Sequence, residues 1–283
     1  MWMCEPRELF AREGRAGAIA RAVDVREEAP HFVTDVDASV QLTGFDVVWM
    51  RKDPPFDMSY IFATYILDMA MDDTLVVNDP IGLKRFNEKL WAMQYAHLHP
   101  PTLLSRNPAQ ILDFVHELGG DVIMKPWDGN GGRGILKTSA TDLNVRSIIE
   151  VLTKEHTEAI LVQPFLEAIR QGDKRIMLFE GEPVGAMLRV PADNDFRGNM
   201  HVGAQTIAAE LSDRDREICA ALGPALREHG QIWAGIDVIG EFLTEINITS
   251  PTGFHEIRRL TGKVLEHELV DRVERMVAGR TRG

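Results

Sequence analysis

Hydrophobic and polar positions divide the chain into two rhythms. The first 40 residues are polar and irregular, with an acidic, arginine-rich stretch from Arg21 to Asp37. Residues 45–50 then form a short apolar run behind Gly44, which predicts a buried strand. Asp57 is placed to cap a helix with apolar positions at Ile61, Tyr65 and Leu67. A strand is expected at 74–77, ended by Asn78-Asp79-Pro80, and a helix over 82–96. A short strand at 102–104 and a helix at 108–118, with proline in its first turn, complete this half. Strands alternating with helices point to α/β layers.

From Asp121 the rhythm changes. Residues 122–124 and 135–136 read as strands joined by a glycine-rich loop, followed by a helix over 143–154. Strands are expected at 159–162, 175–179 and 183–190, the last two forming a hairpin around Gly181. Residues 191–203 are polar and carry two glycines, the composition of a mobile loop. A helix over 213–228 precedes strands at 233–239 and 243–248, joined by a tight turn at Gly240. The overall class is α/β first and α+β afterwards.

Composition bounds the function. The 283 residues carry a formal charge of −12, without the basic footprint that nucleic acid or a membrane surface requires. No apolar run approaches the roughly 18 residues of a membrane span, and the first residues lack a secretory pattern. Cys4 and Cys219 make no metal spacing and suggest a reducing compartment. Local basic groups, Lys174-Arg175 and Arg189 with Arg197, can still receive phosphate.

The stretch Lys125-Pro-Trp-Asp-Gly-Asn-Gly-Gly-Arg-Gly134 contains the glycine spacing of a dinucleotide fingerprint. That fingerprint must open a helix, whereas Ile135-Leu136-Lys137-Thr138 reads as a strand. A phosphate-binding P-loop needs Gly-Lys-Ser/Thr, and a protein kinase needs His-Arg-Asp and Asp-Phe-Gly; neither is present. Two readings of this stretch stay open: a strand–loop–strand flap over phosphate, with a lysine point charge, or a plain hairpin turn.

Near the C-terminus, Glu245 and Asn247 are two apart on one expected strand, so they share a face. Asp237, on the preceding strand, can face them. Two carboxylates and an amide oxygen make a hard-oxygen site of the kind Mg²⁺ takes while bridging phosphates. A solvated strand face is the alternative. It accounts for Glu245 and Asn247 but not for Asp237 inside Trp-Ala-Gly-Ile-Asp-Val-Ile.

Together these segments resemble the ATP-grasp superfamily and, within it, the bacterial glutathione synthetases, over nearly the whole chain. The resemblance is carried by Met50-Arg-Lys-Asp-Pro-Pro-Phe-Asp57, Asn87-Glu-Lys89, Lys125-Pro126 with Asp128-Gly129-x-Gly131-Gly132, Gly172-Asp-Lys-Arg175, Arg197-Gly-Asn199 and Thr244-Glu-Ile-Asn-x-Thr-Ser-Pro251. It implies an N-terminal α/β pre-ATP-grasp domain over 1–84, a central lid subdomain over 85–166 and a C-terminal ATP-grasp subdomain with the metal site over 167–283.

The implied reaction is ATP-dependent ligation of γ-glutamylcysteine to glycine through an acylphosphate, in the cytoplasm. Lys89 and Lys125 would reach the phosphates, under a lid of Asp128, Gly129, Gly131 and Gly132. Gln163, Pro164 and Phe165 would form the adenine hinge, with Glu167 and Asp173 near the ribose. Asp237, Glu245 and Asn247 would hold Mg²⁺, with Mn²⁺ as a substitute. Arg175, Arg189 and Arg197 would serve the anionic intermediate. Arg51, Asn199 and Ser250 would lie nearer the dipeptide or glycine. The resemblance also implies a homo-oligomer built partly through the N-terminal region.

The resemblance implies a family that begins with a strand–helix unit placed before Met1 of this sequence, so that residues 1–3 would correspond to its second strand. Without the first strand, an open sheet edge would harm stability or association. Two other readings follow: a different ATP-grasp carboxylate–amine ligase, or a nucleotide-binding protein without turnover.

Overall fold

A computed structural model describes residues 1–129, 131–193, 195–198 and 203–280. The polar first 41 residues are not irregular. They form β1 (Trp2–Met3), β2 (Leu9–Arg12), β3 (Arg15–Val25) and β4 (Phe32–Gln41), an antiparallel sheet in which β3 pairs with the other three. The inward positions are mostly alanines, Ala16, Ala18 and Ala20, all nearly fully buried. Small side chains give the alternation little hydrophobic contrast, and β4 is exposed along most of its length. That is why the pattern did not announce strands.

Next come β5 (Val47–Trp49), α1 (Met58–Asp68) and β6 (Leu75–Val77), with β5 and β6 parallel. This pair is the only parallel one among the described strands, so the expected α/β layering is confined to it. Asp57 caps α1 by accepting from the Tyr60 amide. The buried stripe of α1 is Tyr60, Ala63, Ile66 and Leu67; Tyr65 faces outward. The helix expected over 82–96 is two short helices, α2 (Pro80–Arg85) and α3 (Glu88–Met93). Asn87 makes the break: its side chain accepts from the amides of Lys89 and Leu90, starting a new helix.

The central sheet holds β7 (Leu103–Ser105), β8 (Asp121–Pro126), β9 (Leu136–Ser139) and β10 (Ile160–Pro164), in the order β7-β10-β8-β9, all antiparallel. On one face it packs α4 (Pro108–Leu118) and α5 (Val145–Leu152) around Ile111, Val122, Met124, Ile149 and Val162. The other face belongs to the cleft.

Beyond it lie β11 (Asp173–Phe179), β12 (Glu182–Val190), β13 (Gln205–Ala208), α6 (Asp213–Glu228), β14 (Trp233–Ile239) and β15 (Phe242–Asn247). They form a second antiparallel sheet in the order β13-β12-β11-β14-β15. A Ser212 capping box starts α6. Helices α7 (Phe254–Thr261) and α8 (Leu265–Gly279) close the chain, burying Ile257, Leu265, Leu269 and Val273 beside Met177 and Phe179. The expected strands and helices from Pro108 onward recur with shifts of a few residues at most; β13, α7 and α8 are additional.

Candidate active site

The cleft lies between the central and C-terminal sheets, and strand alternation builds both walls. On β8, Val122 and Met124 enter the central core while Ile123 and Lys125 line the cleft. On β14, Ile236 and Val238 enter the main core while Asp237 and Ile239 line the cleft. The cleft encloses about 860 Å³ including its open mouth, room for a nucleotide.

One end of the cleft is charged. Lys89, brought in by the first turn of α3, donates to the Gly129 carbonyl and stands 3.5 Å from the Glu245 carboxylate. Lys125 is equally buried, and its ammonium makes no hydrogen bond or ion pair among the described residues. Burial pulls its ammonium below the ordinary lysine range, and Glu245 opposes that shift. A buried, unpaired cation is costly unless an anion joins it.

Asp237 and Glu245 are register partners across β14 and β15, and Gly235 partners Asn247. The two strands thus present Asp237, Glu245 and Asn247 on one side. Arg175 grips both oxygens of Asp237, with Nη2 3.0 Å from Oδ2. Arg189 Nη2 lies 3.0 Å from Asp237 Oδ1 and 2.6 Å from Asp173 Oδ2. Asn247 Nδ2 donates to Asp237 Oδ2 at 3.3 Å. Burial raises the cost of charge on Asp237, but Arg175 and Arg189 outweigh it and hold the carboxyl well below the usual range. Asp173 goes the other way. Burial outweighs Arg189 and pushes it up to about 6, and its Oδ1 is buried without a partner.

The donor set suits Mg²⁺: two carboxylates and a carboxamide, all hard oxygens. Glu245 is the available one, since its partner among the described residues is Lys89 alone. Asp237 already accepts three hydrogen bonds, two from Arg175 and one from Asn247, and is ion-paired with Arg189 at 3.0 Å, so it has less capacity left for a metal than Glu245. Among the described residues no three His, Cys, Asp or Glu side chains group to hold a metal unaided. An ion here therefore needs further oxygens, which a triphosphate supplies.

Over the cleft lies the loop joining β8 to β9. Gly131, Gly132 and Gly134 have φ of 61°, 77° and 70°, a region that only glycine enters without strain. The flap after β12 meets this loop: Arg197 Nη1 donates to the Gly132 carbonyl at 3.2 Å. Asp195 accepts from Arg197 and is held at about 2 by those bonds. Gly198 lies so close to Asp173 that a Cβ there would stand 2.6 Å from the Asp173 Cβ.

Most of the expected site residues converge here. Lys89, Lys125, Gly129, Gly131, Gly132, Gln163, Pro164, Phe165, Asp173, Arg197, Asp237 and Glu245 line the cleft. Arg175 and Arg189 lie behind it, engaged with Asp237 and Asp173. Asp128 lines a smaller adjoining hollow with Pro54, Phe56 and Trp127. Glu167 is exposed and paired with Arg170 at 2.7 Å. Arg51 lays its guanidinium over the Trp233 ring, 4.2 Å from the centroid, and Ser250 is half-buried; neither lines the cleft. Asn199 lies outside the described residues.

Several contributors escaped the sequence reading. Thr102 is one: its Oγ1 accepts from the side-chain amide of Gln163 at 2.9 Å, next to buried His99, and so anchors the expected hinge from behind. Glu88 Oε1 accepts from the Ile248 and Thr249 amides and the Thr249 hydroxyl, tying α3 to the end of β15. In the apolar wall, Ile123 and Ile239 were hidden inside apolar runs, and strand parity was the signal that could have separated them from core; Ile135 and Ile169 lie outside the strands and gave no such signal.

Solved structures share this architecture. D-alanyl-alanine synthetase A from Vibrio cholerae superposes with a TM-score of 0.62 at 16% identity, over 96% of this chain and 87% of that one. The ATP-grasp ligase PsnB gives 0.60 at 18% identity, over 91% and 86%. Fold and cleft together are those of an ATP-grasp ligase. Residues 88–262 match the prokaryotic glutathione synthetase ATP-grasp domain, and residues 1–84 match the N-terminal domain of the same enzymes. The glutathione synthetase of Mesorhizobium japonicum is 45% identical over 270 residues, 95% of this chain and 86% of the relative. That of Agrobacterium fabrum is 42% identical over 271 residues, 95% and 85%. The chain belongs to the prokaryotic glutathione synthetase family. No helix among its described residues is long and apolar enough to cross a membrane.

Proposed function

We propose that this ligase condenses γ-glutamylcysteine with glycine at the expense of ATP, in the cytoplasm, giving glutathione, ADP and phosphate. The observation that carries the reading is the charged end of the cleft. Two buried lysines face a registered Asp237–Glu245 pair beneath a glycine loop, in a chain of this family.

The cysteinyl carboxylate oxygen attacks the γ-phosphorus, and the bond to the β-phosphate oxygen breaks. The glycine amine then attacks the acyl carbon, phosphate leaves, and the amine gives up a proton. Lys89 and Lys125 hold the triphosphate by charge, where burial strengthens the attraction. Asp237, Glu245 and Asn247 would hold Mg²⁺, or Mn²⁺ in its place, which neutralises the triphosphate and the developing phosphoryl charge. The backbone of Gln163, Pro164 and Phe165 takes the adenine edge, and Asp173 and Glu167 serve the ribose. An acylphosphate hydrolyses readily, so the glycine loop, with Asp128 at its base, and the flap tied to it by Arg197 keep water out.

Arg197 faces the intermediate. Arg175 and Arg189 act on it through Asp237 and Asp173, as positioning groups. Arg51, Asn199 and Ser250 serve the dipeptide or glycine. A homo-oligomer, small-molecule substrates and no nucleic-acid partner belong to the same reading.

Phosphate release from Mg·ATP tests it. Turnover should require both γ-glutamylcysteine and glycine. Equal turnover with another acceptor pair would move the chain to a different carboxylate–amine ligase. Tight Mg·ATP binding with no turnover would leave only a nucleotide-binding protein.

A further inference from the structure

Phe196 has no role in the mechanism above, yet the flap carries it into the cleft. Its ring meets the hinge ring of Phe165 edge to face, with centroids 6.1 Å apart and planes at 84°. Phe165 is itself fixed. Lys137 Nζ stands 3.9 Å from its centroid, Asp121 holds Lys137 at 2.7 Å, and the Phe165 amide donates to the Asp121 carbonyl at 2.8 Å. Phe165 and Phe196 line the cleft together with Ile123, Leu166 and Ile169, the part of its wall without charge. Such a slot accepts a flat, apolar-faced group, and aromatic side chains hold nucleobases through their π-faces.

We infer that Phe196 is an affinity-determining contact for the nucleotide base. The flap brings a ring to the base end of the cleft, so the base is gripped by hinge and flap together. Arg197, the next residue, ties the same flap to the glycine loop. Base and phosphate recognition thus share one short segment. The inference rests on the proposed function in one respect, that the cleft takes ATP.

The test compares Phe196→Ala, Phe196→Tyr and the unaltered protein. Calorimetry reads binding of Mg·ATP and of Mg·tripolyphosphate, which has the phosphates and no base. Phe196→Ala should weaken Mg·ATP by about tenfold and leave Mg·tripolyphosphate unchanged. Phe196→Tyr should restore ATP affinity. In turnover, the ATP KM should rise by about tenfold with kcat retained and the dipeptide KM unchanged. Unchanged ATP affinity in Phe196→Ala overturns the inference. So does an equal loss for both ligands, or a fall in kcat with a raised dipeptide KM, which marks a flap that merely folds worse. Because the binding comparison needs no acceptor substrate, it reads Phe196 even if the protein proves inactive with γ-glutamylcysteine and glycine.

Discussion

Asp237 and Glu245 face each other as register partners across β14 and β15, and the structure treats them oppositely. Asp237 is engaged by Arg175, Arg189 and Asn247, whereas Glu245, among the described residues, has only Lys89 at 3.5 Å. One carboxylate is tied into a buried network of arginines. The other is held in reserve.

Glu245→Gln should therefore lower phosphate release by about 100-fold or more while moving the melting temperature little. A partly exposed group with one long ion pair contributes about 1 kcal/mol or less to stability. Steady-state phosphate release and a thermal melt check both halves. Normal turnover would show that Glu245 holds no metal.

Arg189→Ala should do the reverse at the level of folding. It leaves Asp173 and Asp237 facing each other with one cation fewer, in a site almost closed to water. Removing one member of a buried ionic network costs about 3–5 kcal/mol. Arg170→Ala breaks an exposed pair with Glu167 and should cost less than about 0.5 kcal/mol. Urea denaturation of the two variants should differ accordingly.

Two groups set opposing acid dependences. Burial pulls His99 from 6.5 down to about 4, against the bond to the Pro100 carbonyl. Between those values the unfolded chain takes up a proton that the folded one refuses, so stability falls on acidification. Asp173, raised from 3.8 to about 6, binds its proton earlier when folded, so its contribution grows on acidification and is lost as pH rises through 6. The two slopes partly cancel between about pH 4 and 6. His99→Gln should leave stability rising toward acid pH, and Asp173→Asn should steepen the acid loss. Urea melts at a series of pH values read the slopes. Parallel slopes in the two variants would contradict the assignment.

Gly181 and Gly14 separate two reasons for glycine. Both have positive φ, 77° and 76°. A Cβ on Gly181 would meet the Gly223 Cα at 2.5 Å, backbone against backbone, whereas one on Gly14 meets nothing within 4 Å. Gly14→Ala should cost about 1 kcal/mol, the conformational term alone. Gly181→Ala should cost about 3 kcal/mol or more, since β11–β12 and α6 must separate. Denaturant midpoints give the comparison.

The legible parts of this fold are those whose signals lie within a turn or a strand of each other. Asn107-Pro108 and Gly119 bracket α4 by cap chemistry that needs no distant partner. The residues after Gly134 ruled out a helix-opening loop, and β9 is there. Glu245 and Asn247 share a face because a strand has period two. The β1–β4 sheet was not legible, because alanines that are core in three dimensions look neutral in one. Nor was the break at Asn87, where a cap competes with helix continuation.

The sequence by itself determined the class of machine: its local elements, the glycine loop, the lysines and the acid–acid–amide set. Tertiary structure decided how those groups are charged and employed. Arg175 and Arg189 looked like ligands for an anionic intermediate. Across β11, β12 and β14 they are spent on Asp237 and Asp173, which leaves Glu245 and Lys125 under-partnered in the cleft. The reason is physical. Chain order sets which donors and acceptors exist, but desolvation and Coulomb terms depend on distance and burial, which strand pairing between remote segments alone supplies.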